Sequence, residues 1–263
     1  MSDTNRKLRL VKAAAQGAAS AGNLPEALDL EFVYPVSRVI VADEGPDTYV
    51  RSIHGKIEFS TAYEDKETGE YGEWRTEAGR FHALYVDAAL ARREGVRLFD
   101  VMNAESSEMK EICEALFETD TGSIRTEAEN LLGSPFCGNV LVVHRLEILP
   151  AHRGTGLGLA ALWYISRIHS AGCGLVAIKA IPMQLRAGFD AGKDEWTRQL
   201  AYDSFPVGRE AAQRKLVSHW GKLGFRETGG NGVMAISAAA SGPVPEEIRH
   251  WIPKRLSRAP AVR

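Results

Sequence analysis

The chain is predicted to adopt an α/β fold: a mixed, twisted sheet with helices on both faces and central parallel strands. Three observations lead there. Residues 139–149 and 174–181 are almost continuously apolar, as central strands covered on both sides must be. Between them, residues 157–171 bring Leu157, Ala161, Ile165 and Ile168 to one face at helical spacing, which makes a strand–helix–strand crossover. Upstream, residues 49–63 and 71–86 are two long strand-like runs joined by a charged tip containing Gly69, which predicts a hairpin.

The remaining elements follow in order. Residues 1–28 form a loose or helical lead-in; its segment Arg6–Ala21 is basic and rich in alanine, the pattern of a frayed helix or of a transit peptide. Phe32–Ala42 reads as a strand whose start Pro35 confines to an edge. Gly45-Pro46-Asp47 is a turn. Asp87–Glu94 is a short helix ended by Gly95, and Ser106-Ser107-Glu108 opens a firmer one with Ile112, Cys113, Leu116 and Phe117 on one stripe. Ile124–Leu132 is a further helix, stopped by Gly133-Ser134-Pro135. After strand 174–181, residues 184–208 make a long connection carrying Trp196, Tyr202 and Phe205, and connections of that length usually carry function. Helix 209–223 and strands near 225–228 and 232–237 complete a single domain over 29–240. The tail, 241–263, is rich in proline and arginine and packs in part or meets a partner. A separate N-terminal domain of about 120 residues is the alternative organisation; a second, degenerate copy of the fold has no glycine motif behind it.

The turn between the first central strand and its helix is Arg153-Gly154-Thr155-Gly156-Leu157-Gly158. Its glycines let the backbone fold tightly and leave N–H groups uncovered, and the helix beginning near Leu157 adds its own free N–H groups and positive dipole end. That combination is a cradle for phosphate or pyrophosphate. A Walker loop is excluded, because Leu159 and Ala160 stand where Lys and Ser or Thr belong. A dinucleotide fingerprint fits poorly, because the next strand ends in Pro182-Met183-Gln184 with no carboxylate for a ribose.

The run Ile148-Leu149-Pro150-Ala151-His152-Arg153-Gly154-Thr155-Gly156-Leu157-Gly158 resembles the coenzyme A site of the GNAT superfamily of N-acyltransferases. Downstream, Ala212–Phe225 resembles the late helix of that family, which ends in a Leu-Gly-Phe turn. The resemblance covers roughly residues 138–238. It implies that strand 139–149 bulges and parts from its neighbour so that the pantetheine arm of acetyl-CoA slots between them. Leu146 and Ile148 would then offer backbone groups, the Ile148 N–H serving as oxyanion donor, and Arg153, Gly154, Thr155, Gly156, Leu157 and Gly158 would hold the pyrophosphate. The Arg153 side chain either touches phosphate or packs over the loop.

Amide formation also needs the amine to lose a proton. Glu147, on the strand beside the acyl site, is the best-placed base; the competing role is an ion pair with Arg145, two residues away on the same strand. His144, His219 and Tyr202 are the other candidates; His144, earlier on the same strand, reads more readily as a satisfied core histidine. Many relatives carry a Tyr, as proton donor to the departing thiolate, where this chain has Trp220, which gives up no proton. Two functions therefore remain open: transfer of acetyl from acetyl-CoA to a small-molecule amine or a protein amino group, and a silent acetyl-CoA-binding sensor or assembly module. A partner-binding protein with a vestigial cradle is a third, which the intact glycine turn opposes.

The bulk properties suit either of the first two. The chain has 263 residues, 44% hydrophobic and 25% charged, with a formal net charge of −2 that recommends neither nucleic acid nor an anionic membrane as partner. No apolar run approaches membrane-spanning length, and the start has no secretory h-region, so a cytoplasmic protein, possible as a homodimer, is expected. Cys113, Cys137 and Cys173 have neither metal-ligand nor redox spacing and read as reduced thiols; no metal is expected.

Overall fold

The computed structural model describes residues 7–10, 29–33, 46–64, 71–133, 138–185, 194–205, 208–240 and 244–251. Strand residues 34–42, the hairpin tip at 65–70, Cys137, parts of the 184–208 connection and the tail beyond 251 lie outside them. Among the described residues, eight strands form one mixed sheet in the order β1-β2-β3-β4-β5-β6-β8-β7. They are β1 (Lys7–Leu10), β2 (Asp29–Val33), β3 (Val50–Glu64), β4 (Tyr71–Val86), β5 (Asn139–Ile148), β6 (Cys173–Lys179), β7 (Arg226–Glu227) and β8 (Val233–Ser237).

The hairpin β3–β4 is the longest ladder, and β4 then pairs antiparallel with β5. Strand β1 corrects the expectation of a loose or helical lead-in: Lys7-Leu8-Arg9-Leu10 pairs antiparallel with β2, which itself begins at Asp29, earlier than expected. Leu8 and Leu10 alternate with basic residues at the period of a strand, a short signal hidden beside an alanine-rich stretch. The N-terminal strands therefore extend the same sheet.

Helices cover both faces. On one lie α1 (Ala88–Arg93), α2 (Leu98–Glu105), α3 (Ser107–Leu116) and α4 (Thr126–Leu132); on the other lies α5 (Leu157–His169). The Asp87 side chain caps α1 by accepting from the Leu90 N–H, and Ser106 caps α3 by accepting from the Met109 N–H. The short α6 (Glu195–Gln199) sits in the long connection, and α7 (Arg209–Gly221) precedes the Leu-Gly-Phe turn. Helix α2 was not expected: no side chain caps it, so only Leu98, Val101 and Met102, buried at helical spacing, announce it.

Two apolar layers result, one on each side of the sheet. Val140 and Val142 belong to the layer under α1–α4, while Leu141 and Val143 belong to the layer under α5. Cys113 is buried, and burial pushes its thiol up to about 12, so it stays a thiol; Cys173 is half-buried. Among the described residues no helix is long and apolar enough to cross a membrane. Part of the tail packs: residues 244–251 end in a 3-10 turn whose Ile248 and Trp251 enter the α5 layer.

Candidate functional site

Strand β5 has two halves. From Val140 to Val143 it is paired on both edges, with β4 on one side and, in parallel, with Leu175–Ile178 of β6 on the other. Pairing with β6 ends at Val143↔Ile178. Beyond it, β5 stays with β4 as far as Ile148, while β6 stays with β8 through Lys179↔Val233. The two parallel strands thus part after Val143 and Ile178.

They part at a bulge. His82 of β4 faces Arg145 and Ala83 faces Val143, which leaves His144 as an extra residue in β5. The bulge shifts the alternation, so Leu146 and Ile148 pack on the α5 layer with Leu141 and Val143. It also decides where backbone groups point. The Leu149 N–H donates to the Ala78 carbonyl at 2.9 Å, so on the alternation of an antiparallel ladder Glu147 pairs with Arg80 by hydrogen bonds. The N–H and C=O groups of Leu146 and Ile148 then point away from β4, into the gap that β6 has left.

The gap widens into a cleft of about 720 Å³. Leu146, Glu147, Ile148, Arg153, Gly154, Thr155, Gly156, Gly158, Tyr202 and His219 all line it, although they come from four separate stretches of chain. Leu157 does not: its side chain is fully buried in the core, so only its backbone belongs to the loop. Gly154 and Gly156 have φ of 77° and 81°, a left-handed backbone that side chains oppose. Among the described residues, the N–H groups from Gly154 to Leu159 donate to no backbone carbonyl, and the first α5 bond runs from Ala160 N–H to Gly156 C=O. They form a nest at the positive end of a helix, open to the cleft.

The tail segment fixes this loop from behind. Trp251 donates its indole N–H to the Thr155 carbonyl at 2.9 Å, and Tyr164 donates its hydroxyl to the Trp251 carbonyl at 3.3 Å. A Cβ at Gly156 would come within 2.8 Å of the Glu247 carbonyl, whereas one at Gly158 would meet only ordinary contacts, 3.6 Å from Ile148 and 4.0 Å from His219. Gly156 is therefore demanded by the fold, and Gly158 leaves room over the helix end.

Arg153 takes the packing role. It donates to the carbonyls of Ile148 at 2.8 Å and Leu200 at 2.5 Å, and its guanidinium lies over the Phe205 ring at 4.6 Å. It ties the 194–205 segment to the end of β5, and what it leaves for an anion is its backbone.

Glu147 forms no ion pair with Arg145 among the described residues. Its carboxylate accepts from the Trp196 indole N–H at 2.8 Å and from the Tyr202 hydroxyl at 3.3 Å, one to each oxygen. Arg80 then lies over the Trp196 ring at 4.0 Å. Glu147 is an anchor for the long connection as well as a wall of the cleft. Tyr202 corrects its assignment as a base: burial, followed by the nearby Glu147 carboxylate, pushes its pKa up, so it keeps its proton and donates it. His219 is half-buried above Gly158, and desolvation, then Lys222, lowers its pKa, with Glu247 opposing. It is neutral at pH 7 and able to accept. Trp220 is 8% exposed and packs in the α5 layer.

Residues that sequence reasoning passed over also reach the cleft. Glu108, read as part of a helix start, lies 7% exposed with Oε1 4.0 Å from Nδ1 of His144. Lys179, at the end of β6, pairs with Glu111 at 2.6 Å. These contacts join positions 36 and 68 residues apart, and no local pattern announces them. Among the described residues no group of His, Cys, Asp or Glu is placed to hold a metal ion. Compared with protein-family models, curated proteins and solved structures, the chain matches none.

Proposed function

We propose that this protein is an acetyl-CoA-dependent N-acetyltransferase of the GNAT kind, passing the acetyl group to a primary amine by direct attack in a ternary complex. The observation that carries the reading is the parting of β5 and β6 immediately after Val143, with the open nest of Gly154–Leu159 at the mouth of the gap. A phosphorylated thioester with an extended amide-bearing arm has the chemistry for both: pyrophosphate oxygens for the N–H groups at the helix end, and arm amides for the Leu146 and Ile148 backbone. The thioester carbonyl then lies near the Ile148 N–H, a fixed donor for the oxyanion. The Ile148 C=O is already held by Arg153, which stiffens the peptide carrying the next turn.

A second reading, a silent acetyl-CoA binder, draws on Trp220 and Glu147. The first is a core residue where relatives carry an acid, and the second has both carboxylate oxygens engaged. A thiol with a pKa near 8.5 leaves without obligatory help, so the absence of that acid slows the reaction without forbidding it. Calorimetry with acetyl-CoA, paired with thiol release over a panel of primary amines, separates the two. Binding with turnover is the expected result, binding without turnover favours the silent module, and no binding removes both.

A further inference from the structure

The geometry points to His144 as the group that takes the acceptor's proton, and to His82 and His54 as the route by which that proton reaches solvent. This rests on the acetyl-transfer reading, whose stoichiometry creates the need. An alkylammonium gives up two protons on becoming an amide. The C–N bond forms, the C–S bond breaks, one proton ends on the departing sulfur, and one must leave the cleft. Tyr202 holds its proton, and Glu147 has each oxygen bonded to the 194–205 segment.

Three adjacent strands each supply one histidine at this point. His54 of β3 and His82 of β4 are register partners, and their rings stack at 4.0 Å with a 7° interplanar angle. The bulge then sets the His144 ring edge-on to His82, with centroids 5.3 Å apart. Burial falls along the row. The His144 side chain is 11% exposed and lines the cleft, His82 is half-buried, and His54 is exposed. The Ser52 hydroxyl, 2.8 Å from Nε2 of His82, adds a group able both to accept and to donate. Glu108 lies 4.0 Å from Nδ1 of His144, where it favours the imidazolium that proton uptake creates. An imidazole takes a proton at one nitrogen and releases another from the second, and its ordinary pKa lies near the pH at which the proton must move.

Among the charged groups that line the cleft with His144 are Glu108 from α3, Arg145 and Glu147 from β5, and Lys179 from across the gap, and Arg145 is also the register partner of His82. The test has three arms on the full chain. Acetyl-CoA affinity by calorimetry should stay within about twofold in His144→Asn, His82→Ala and His82→Phe, because the cradle lies elsewhere. Thiol release with an amine that the wild type accepts should fall about 10²–10⁴-fold in His144→Asn, the usual worth of a general base, and less in both His82 variants. Added imidazole should restore His82→Ala and leave His82→Phe slow, since the phenyl ring keeps the stack on His54 but fills the space and carries no proton. The third arm needs no acceptor: by NMR, the titration midpoints of His54 and His144 should each move when His82 is replaced. Full activity in His144→Asn, equal rates in the two His82 variants under imidazole, or independent titration of the three rings would each overturn the relay. If acetyl-CoA fails to bind the wild type, the acetyl-transfer reading itself falls. If it binds and no amine reacts, the NMR arm alone decides.

Discussion

Before the bulge, strand β5 is a structural element like any other; after it, the same strand lines a cleft. From Val140 to Val143 every side chain is buried and both edges are paired; from His144 to Ile148 one edge is bare, and imidazole, guanidinium and carboxylate groups appear. The first half even buries a polar residue with partners: Asn139 donates to the Tyr85 hydroxyl at 2.8 Å and accepts from the Ala89 N–H at 2.9 Å. The contrast teaches that the open half is held in place by the closed one. A strand end with unpaired backbone stays rigid only when its other edge and its root are fixed.

Four measurements break or sharpen that contrast. The largest effect belongs to the closed half. Val142→Asp places an unpaired carboxylate where the side chain is fully buried, and should cost at least about 4 kcal/mol, leaving little folded protein by circular dichroism. At the open mouth, Gly158→Glu should leave the melting temperature within a few degrees yet weaken acetyl-CoA binding by about 100-fold or more, close to 2.7 kcal/mol by calorimetry. Gly156→Glu should fail in both assays, because its side chain meets the Glu247 backbone. A Gly158→Glu variant that binds normally would dissociate the nest from the ligand.

The third measurement concerns pH. Burial of His169, at the end of α5, lowers its pKa to about 4 from an ordinary 6.5. The unfolded chain therefore takes up this proton first. Stability contributed by the neutral ring is complete above pH 6.5, is lost as the pH falls, and is gone below about 4, a change on the order of 3 kcal/mol. Melting curves from pH 7 to 4 should show that decline, and His169→Gln should flatten it. The smallest effect is expected at Glu147. As the anchor of Trp196 and Tyr202, its replacement by Gln should raise the acceptor KM and lower kcat by less than about tenfold, since the amide keeps one acceptor oxygen. A loss of 10²–10⁴-fold in kcat with KM unchanged would instead restore Glu147 as the base.

Much of this arrangement was legible in the chain. The glycine turn, the paired apolar strands and the helix between them are local patterns, and the parting of β5 from β6 follows from the resemblance they carry. Cap residues Asp87 and Ser106 announced α1 and α3, whereas α2 begins without a cap and was missed. The site's polar half was harder. Trp196 and Glu147 are 49 residues apart, and His54, His82 and His144 come together only through register across three strands. A histidine in an apolar run reads as core from sequence, and nothing in that run shows that pairing with β6 stops one residue before His144.

The bulge also makes the chain sensitive to length at one position. Deleting His144 would leave Val143 opposite Ala83 and Arg145 opposite His82, now as neighbours in a regular ladder. Every later β5 residue would keep its face, so Leu146 and Ile148 would stay on the layer beneath α5. What would go is the local bend and added twist that an extra residue gives one strand of a pair. The loss of that one codon should therefore spare the fold and narrow the gap between β5 and β6, a change that replacing the histidine alone would not make.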